Sequence, residues 1–272
     1  MPFCKPVKIG NKTFDSKNGP YILGVVNVSP ESPNQSSVCR TSEEALKMAH
    51  HLRMQGADII DVGGVSTDPG VPFVSEEVER KRLVSTIQLL VREGFLVSVD
   101  SWRPQVIAAC LDAGANLIND TSGLQEAETI KLAAQFHVPM LAVFIRKENP
   151  RSSRKDLNAV SEMEIIVSHF SNHISLARDC NIDLILDPGT GLLPVGRSAE
   201  EKIKIRLSIY HDLEKLQTLG YPICVDVPYK VERPTAAMLA SFLVHQQVDF
   251  LRTHDVSLVT EVLKIFGKGK WV

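Results

Sequence analysis

Eight short apolar runs, each ending in polar residues and followed by a stretch with helical character, recur along this chain. The runs lie at residues 21–28, 57–64, 96–100, 116–120, 139–145, 184–191, 221–227 and 249–255. Apolar strands that alternate with helices are typical of parallel sheets, so the pattern predicts repeated β/α units. Eight units in 272 residues predict an α/β fold, the (β/α)8 or TIM barrel, in a single domain over residues 1–272. Such barrels carry their chemistry at the carboxyl ends of the strands.

The net charge and the cysteine spacing limit the ligands, cross-links and compartments that we expect for this chain. The formal net charge is -2 at pH 7 and no basic stripe is present, so we expect neither nucleic-acid nor anionic-membrane binding. The five cysteines stand far apart without a Cys-x-x-Cys pair, which indicates reduced thiols rather than disulfides or a zinc site. Because the start lacks an apolar signal segment and no apolar run is long enough to span a bilayer, the sequence predicts a cytoplasmic protein.

The segments outside the β/α units predict a hairpin and exposed loops. Residues 1–20 predict a short hairpin that closes one end of the barrel. Residues 29–40, 65–74 and 146–156 are rich in Pro, Ser or charge and predict exposed loops. The charged run at residues 79–82 predicts a solvated helix face, and one helix is predicted to reach Leu219 after the sixth strand.

Polar residues at the predicted strand ends need an explanation, because an unpaired polar group inside a barrel is costly. They are Asn27, Asp61, Asp100, Asn119, Asp120, Asp187, Asp226, Lys230, Arg252, His254 and Asp255. Together they predict a pocket for a flat heterocycle whose N–H groups donate to carboxylates. Arg252 and His254, at the eighth strand, would hold a nearby anionic group. Asp61, Asp120 and Asp226 are equally compatible with helix caps or loop anchors.

Six motifs, in order along nearly the whole chain, resemble those of dihydropteroate synthases. They are LGVVNVSPES, GADIIDVGGVSTDPG, SVDSWRPQV, AGANLINDTSG, LILDPGTG and FLRTHDV. The resemblance implies a transferase of folate biosynthesis that condenses 6-hydroxymethyl-7,8-dihydropterin diphosphate with p-aminobenzoate. It also implies Mg2+ as cofactor and a barrel that forms a homodimer.

The resemblance also implies roles for particular residues. The pterin would be bound by Asp100, Asn119, Asp187 and Lys230. The diphosphate would be bound by Asn27, Arg252 and His254, with Asn27 as the metal ligand. Asp100, Lys230 and Arg252 would be the catalytic residues. In this chemistry the diphosphate leaves first, buried carboxylates stabilise the cationic pterin that remains, and the amine then captures it.

Four loop positions depart from the family pattern. Pro33 replaces an aromatic residue, Asp68 replaces an arginine, Leu192 replaces a phenylalanine and Pro228 replaces a serine. The motif residues that would bind the pterin are therefore kept, while loop residues that would contact p-aminobenzoate and the diphosphate are altered. Two other functions remain compatible with such a chain: a pterin-binding paralogue without condensation activity, and a methyltetrahydrofolate-dependent methyltransferase.

Overall fold

The structure is a computed structural model that describes residues 4–146, 149–151, 162–193 and 196–266. It begins with a hairpin of two strands, β1 (Val7–Ile9) and β2 (Lys12–Phe14). Eight further strands follow: β3 (Tyr21–Asn27), β4 (Ile59–Gly63), β5 (Val97–Ser101), β6 (Leu117–Asp120), β7 (Met140–Val143), β8 (Leu184–Asp187), β9 (Cys224–Asp226) and β10 (Phe250–Thr253). The helices are α1 (Ser42–Gln55), α2 (Glu76–Arg92), α3 (Pro104–Asp112), α4 (Ala127–Phe136), α5 (Glu162–Asp179), α6 (Ala199–His211), α7 (Leu213–Gln217), α8 (Arg233–His245) and α9 (Val256–Phe266).

The eight strands from β3 to β10 form the predicted barrel. Their order is β8-β7-β6-β5-β4-β3-β10-β9, and every neighbouring pair is parallel. A parallel bridge between Leu186 and Ile223 joins the two outermost strands and closes the ring. Each strand is followed by at least one helix, so the TIM-barrel prediction is confirmed. Within the described residues, no helix is both long and apolar enough to cross a bilayer.

The hairpin packs against the amino-terminal ends of the barrel strands, as predicted. Val7, Ile9 and Phe14 share a buried cluster with inward residues such as Leu23 and Phe250. Gly10 forms its turn at φ +56°, and a Cβ atom there would lie 2.7 Å from the Leu96 side chain. Glycine is therefore required for the turn to approach the barrel this closely.

Helix starts follow the local signals, but one helix boundary was predicted wrongly. The Thr41 and Ser75 hydroxyls accept hydrogen bonds from the first turns of α1 and α2. The single helix expected to reach Leu219 is instead divided into α6 and α7 at Asp212. The Asp212 carboxylate binds Lys215 at 2.7 Å and His211 at 2.8 Å, which stabilises the break.

The charged run at residues 79–82 is not wholly a solvated face. Glu79 is fully buried and accepts hydrogen bonds from Ser101 at 2.8 Å and Arg103 at 2.6 Å. Arg82 donates to the Glu31 carboxylate at 3.0 Å and to the Gly64 carbonyl at the same distance. The prediction failed because these two side chains meet partners on other parts of the chain, which the helix pattern alone does not place nearby.

Candidate functional site

Strand alternation directs a set of polar side chains into the barrel. In a strand, residues two apart point to the same face. Asp61, Asn119 and Asp187 each lie two residues after an apolar side chain of the inner buried cluster. Asp226 and Arg252 follow Cys224 and Phe250 by the same spacing. These five residues therefore form a polar layer directly above the apolar one.

The polar layer opens into a cavity of about 420 Å³ at the carboxyl ends of the strands. Its lining includes all seven residues assigned to substrate or metal from the sequence, namely Asn27, Asp100, Asn119, Asp187, Lys230, Arg252 and His254. They come from six different strands and their following loops. The structure thus brings the predicted set together in one place, while the role of each residue stays a prediction.

Arg252 is the centre of an ion-pair network at the bottom of the cavity. Its Nε donates to Asp61 Oδ2 at 2.6 Å and its Nη2 donates to Asp100 Oδ2 at 2.8 Å. Its Nη1 lies 3.5 Å from Asp226 Oδ1. The neighbouring carboxylates Asp61, Asp100 and Asp226 raise the pKa of the guanidinium, against the effect of burial. We call Asp61, Asp100, Asn119, Asp187, Asp226 and Arg252 the cavity floor.

Two floor carboxyls have strongly raised pKa values. Burial raises the pKa of Asp100 to about 7, although Arg252 opposes the shift. Burial likewise raises the pKa of Asp187 to about 7, against the hydrogen bond that Gly189 N–H donates to it at 2.7 Å. Such groups gain from a ligand that donates hydrogen bonds or carries positive charge, because either favours the ionised carboxylate.

Asn119 has one half of its amide engaged and the other half without a partner. Its Nδ2 donates to both oxygens of Asp61, at 3.2 and 3.0 Å. Its Oδ1 is buried and accepts no hydrogen bond within the described part of the chain. A buried acceptor without a donor is costly, so this oxygen is arranged for an N–H group of a ligand.

The cations predicted at the cavity are not equally available to an anion. Burial, Arg252 and Lys230 lower the pKa of His254 to about 3, so its ring is neutral near pH 7 without ligand. Its Nδ1 is buried and has no partner among the described residues, and the ring packs against Tyr229 at 4.4 Å between centroids. Since three carboxylates surround Arg252, Lys230 on the exposed edge is the least compensated of the predicted cations.

Asn27 presents a carbonyl oxygen suited to a hard cation. Its Nδ2 donates to Ser37 Oγ at 2.8 Å, which orients the amide and places Oδ1 beside Gly63, with no hydrogen bond to Oδ1 from the described residues. Oxygen ligands of this kind suit Mg2+, which keeps several waters and is often held largely by substrate phosphates. The described residues contain no group of three His, Cys, Asp or Glu side chains placed to hold a metal together.

Arginines from three elements fix the loop of residues 65–74, which borders the cavity. Arg82 donates to Gly64 O, Arg103 donates to Val74 O at 2.9 Å, and Arg151 donates to Ser66 O at 2.8 Å. Asp68, on this loop, lines the cavity and accepts from the Gly70 N–H at 2.9 Å. We call residues 29–40 and 65–74 the cavity rim. The third predicted loop, at residues 146–156, lies mostly outside the described residues.

Strand alternation also decides which aspartates belong to the site. The sequence makes Asp61 and Asp226 equally compatible with caps, but in the structure both face the barrel interior and contact Arg252. Asp120 faces the other way and accepts from Ser122 and Leu124 N–H groups at 2.9 and 2.8 Å, as a loop anchor does. The two-residue period of each strand, counted from its inward apolar residue, distinguishes the inward Asp61 and Asp226 from the outward Asp120.

Lys202 and Arg206 were not identified from the sequence. Both lie on α6, one turn apart, and both line the cavity. The signal was present as an i, i+4 pair of basic residues on a helix that follows an active-site strand. It was missed because helix orientation around the barrel is not evident from the pattern of α6.

Comparison with known proteins gives a consistent set of relatives. The family described as Pterin binding enzyme matches residues 23–230. A dihydropteroate synthase from Clostridium beijerinckii is 33% identical and covers 92% of this chain and 94% of its own length. One from Synechocystis sp. is 30% identical, with coverage of 97% and 94%.

Solved structures agree with the sequence relatives. Thermus thermophilus dihydropteroate synthase in complex with 4-aminobenzoate superposes with a TM-score of 0.81 at 25% identity, covering 97% of this chain and 99% of that one. The Yersinia pestis dihydropteroate synthase in a sulfonamide complex gives a TM-score of 0.81 at 26% identity, with coverage of 97% and 98%. The similarity therefore extends over whole chains and includes the strands that carry the cavity floor.

Proposed function

Because this chain belongs to the dihydropteroate synthase family of pterin-binding enzymes, we propose that it condenses 6-hydroxymethyl-7,8-dihydropterin diphosphate with p-aminobenzoate, a step of folate biosynthesis. The observation that carries the proposal is the cavity floor. Its carboxyls and its unpartnered Asn119 oxygen form a set of buried acceptors that a heterocycle with several N–H groups would satisfy.

The floor would act on the pterin through its acceptors. Asp100 and Asp187 would accept from the ring N–H groups, while Asn119 would accept at its free Oδ1. When the bond between the pterin methylene carbon and the diphosphate oxygen breaks, the electron pair leaves with oxygen and positive charge develops on the pterin. Buried carboxylates stabilise that charge more strongly than water would, because they are already oriented. Attack by the amine nitrogen forms the new C–N bond, and the amine loses its proton to water.

The diphosphate would lie on the side of β3 and β10. Asn27 and His254 would contact it, and Lys230 would supply charge from the cavity edge. Arg252 would act mainly by holding the floor carboxylates in place. Asn27 Oδ1 would help to hold Mg2+, which when bound would supply Lewis-acid stabilisation of the negative charge on the leaving group. Binding of the anion would also raise the pKa of His254 and allow its ring to become cationic.

Turnover of both substrates tests the proposal directly. We expect diphosphate release from the pterin diphosphate that depends on p-aminobenzoate and on Mg2+, and that is reduced at least a hundredfold in Asp187→Ala. Asp112→Ala, at the exposed carboxyl end of α3, serves as the control and should leave the rate unchanged. Folded protein that releases no diphosphate would exclude the synthase.

A pterin-binding protein without condensation activity is the outcome that Asp68 favours, because a carboxylate at the cavity rim repels a diphosphate. Calorimetry with 6-hydroxymethylpterin separates the two functions. Binding that Asn119→Ala abolishes, together with absent turnover, would indicate a binding protein. Absence of pterin binding would exclude both.

We also propose that the single-domain barrel works as a homodimer in the cytoplasm. The described cysteines are all free thiols, which suits a reducing compartment. Light scattering of the purified chain would give the mass of the assembly.

A further inference from the structure

Lys202 and Arg206 form a cationic pair on the cavity wall, and no ion pair neutralises either of them among the residues that the structure describes. Arg206 is only 9% exposed, and its buried Nε has no hydrogen-bond partner. Within the described ranges, neither side chain forms an ion pair or a hydrogen bond with another residue. By contrast, Lys204 on the outer face of the same helix pairs with Glu200 at 2.7 Å.

A buried guanidinium without an anion is unfavourable, so its persistence needs an explanation. Arg206 acts electrostatically on the floor acid Asp226, whose pKa burial raises while Arg252 and Arg206 oppose that shift. Asp226 however lies 3.5 Å from Arg252 and forms no contact of 4.0 Å or less with Arg206. The positive charge of Arg206 therefore affects the pKa of Asp226, but Arg206 has no ion-pair partner among the described residues.

The pair lies on a different side of the cavity from the proposed diphosphate contacts. Lys202 and Arg206 belong to α6, which follows β8, whereas Asn27 and His254 lie at β3 and β10. In the order of strands around the barrel, β9 and β10 separate β8 from β3. Apolar side chains of Leu193 and Val231 line the same cavity and can contact an aromatic ring.

We propose that Lys202 and Arg206 bind the carboxylate of the amine acceptor and so select for an acidic aromatic amine. The inference rests on the proposed condensation, in which two anionic groups must be held at once. A planar carboxylate suits the guanidinium fork of Arg206 and the ammonium of Lys202. Its binding would satisfy the unpartnered guanidinium and place the acceptor ring against the apolar wall.

The test is the preference for 4-aminobenzoate over its neutral amide, 4-aminobenzamide, expressed as the ratio of their kcat/KM values. Lys202→Ala and Arg206→Met should each lower that ratio at least tenfold, through loss of activity with the acid alone. Arg206→Lys should retain part of the preference because it keeps the charge. The KM for the pterin diphosphate should change less than threefold, and the matched control Lys204→Ala should leave the ratio unchanged.

An unchanged ratio in both Lys202→Ala and Arg206→Met would overturn the proposal, as would equal losses with acid and amide. Either result would mean that Arg206 only balances the negative charge of the floor carboxylates. Lys202 is half-buried, so Lys202→Ala alone is decisive if Arg206→Met fails to fold.

If the wild-type chain does not turn over, direct titration still decides. Calorimetry of both amines, in the presence of 6-hydroxymethylpterin and inorganic diphosphate, should show a preference for the acid that Lys202→Ala removes. That result would support the carboxylate site while the proposed synthase fails. A wild-type chain that binds acid and amide equally would overturn the carboxylate site.

Discussion

The cavity floor and the cavity rim are built on opposite principles. In the floor, the side chains on strands are buried or largely buried, and one arginine contacts three carboxylates. On the rim, arginines from other parts of the chain bind backbone carbonyls, Arg82 also pairs with Glu31, and these arginine side chains remain partly exposed. Charge in the floor is therefore strongly coupled and poorly screened, whereas charge on the rim is screened by water and salt.

The difference explains where this chain keeps the family pattern and where it departs. A change in the floor leaves a buried charge without its partner, which is severely destabilising. A change such as Asp68 on the rim is expected to alter ligand affinity while leaving the fold intact, because solvent reaches the new group. The altered positions Pro33, Asp68, Leu192 and Pro228 all lie outside the barrel strands and the α-helices.

The largest expected effect comes from removing the floor arginine. Arg252→Met leaves the fully buried Asp61 carboxylate without its cation, so we expect a loss of about 3–5 kcal/mol in the free energy of unfolding. Urea denaturation of the ligand-free protein at pH 7 measures it. Arg233→Met is the control, because Arg233 is 53% exposed and water screens its ion pairs, so the loss of stability should be much smaller. Equal losses in the two variants would show that the floor is not coupled as described.

A smaller effect is expected from neutralising Asp187. Its pKa is raised from 3.8 to about 7, so the native state retains a proton that the unfolded state has lost. The stability this group contributes is present below pH 4 and is lost as pH rises through 7. Asp187→Asn should therefore be more stable than wild type at pH 8 by roughly 2 kcal/mol, with little difference at pH 4.

Denaturation curves at several pH values check this, and Asp112→Asn, on the exposed end of α3, should show no such dependence. A constant difference between Asp187→Asn and wild type across this range would contradict the raised pKa. The same variant should bind the pterin more weakly, because the substitution stabilises the floor but removes the carboxylate that would accept from the ring N–H groups.

The floor could be predicted from the sequence more completely than the rim. Its residues stand at strand ends, where residue type indicates Asp100, Asn119 and Asp187 as candidates and the family resemblance assigns them to the pterin. Residue type alone does not distinguish Asp61 from a helix cap, because the direction of its side chain depends on the strand register. These features are local, with strand period and residue type both visible within a few positions.

The rim and the α6 wall depend on contacts between distant parts of the chain. Arg151 and Ser66 are 85 residues apart, and nothing in either loop indicates the other. Arg82 was read as solvent-exposed because its partners, Glu31 and Gly64, lie on other elements. Lys202 and Arg206 were missed for a similar reason, since the rotation of α6 against the barrel is set by tertiary packing.

On the rim, reversing the charge of Asp68 should improve substrate binding. Asp68→Arg replaces repulsion of the diphosphate by attraction, so we expect the KM for the pterin diphosphate to fall about tenfold, or about 1.4 kcal/mol. Asp68→Asn should give a smaller improvement, and added salt should reduce both. Asp112→Arg makes the same charge change at the end of the barrel opposite the cavity and should have no effect. A KM that does not respond to Asp68→Arg would place the diphosphate away from this loop.

The smallest effect on global stability should come from replacing Arg151, although the replacement should clearly change hydrogen exchange in the rim. Arg151 donates to Ser66 O at 2.8 Å and to Val71 O at 2.6 Å, so it joins two points of one loop. Arg151→Ala should change the free energy of unfolding by less than about 1 kcal/mol, because the loop contributes little to the core.

Hydrogen exchange at the Asp68, Gly70 and Val71 amides should nevertheless become faster, because their hydrogen bonds lie within that loop. Arg197→Ala removes an exposed arginine that pairs only with Glu201 among the described residues, and exchange in residues 65–74 should not respond to it. Unchanged protection in Arg151→Ala would mean that the other arginines hold the loop without it. Faster exchange with unchanged stability would show that the rim moves independently of the floor.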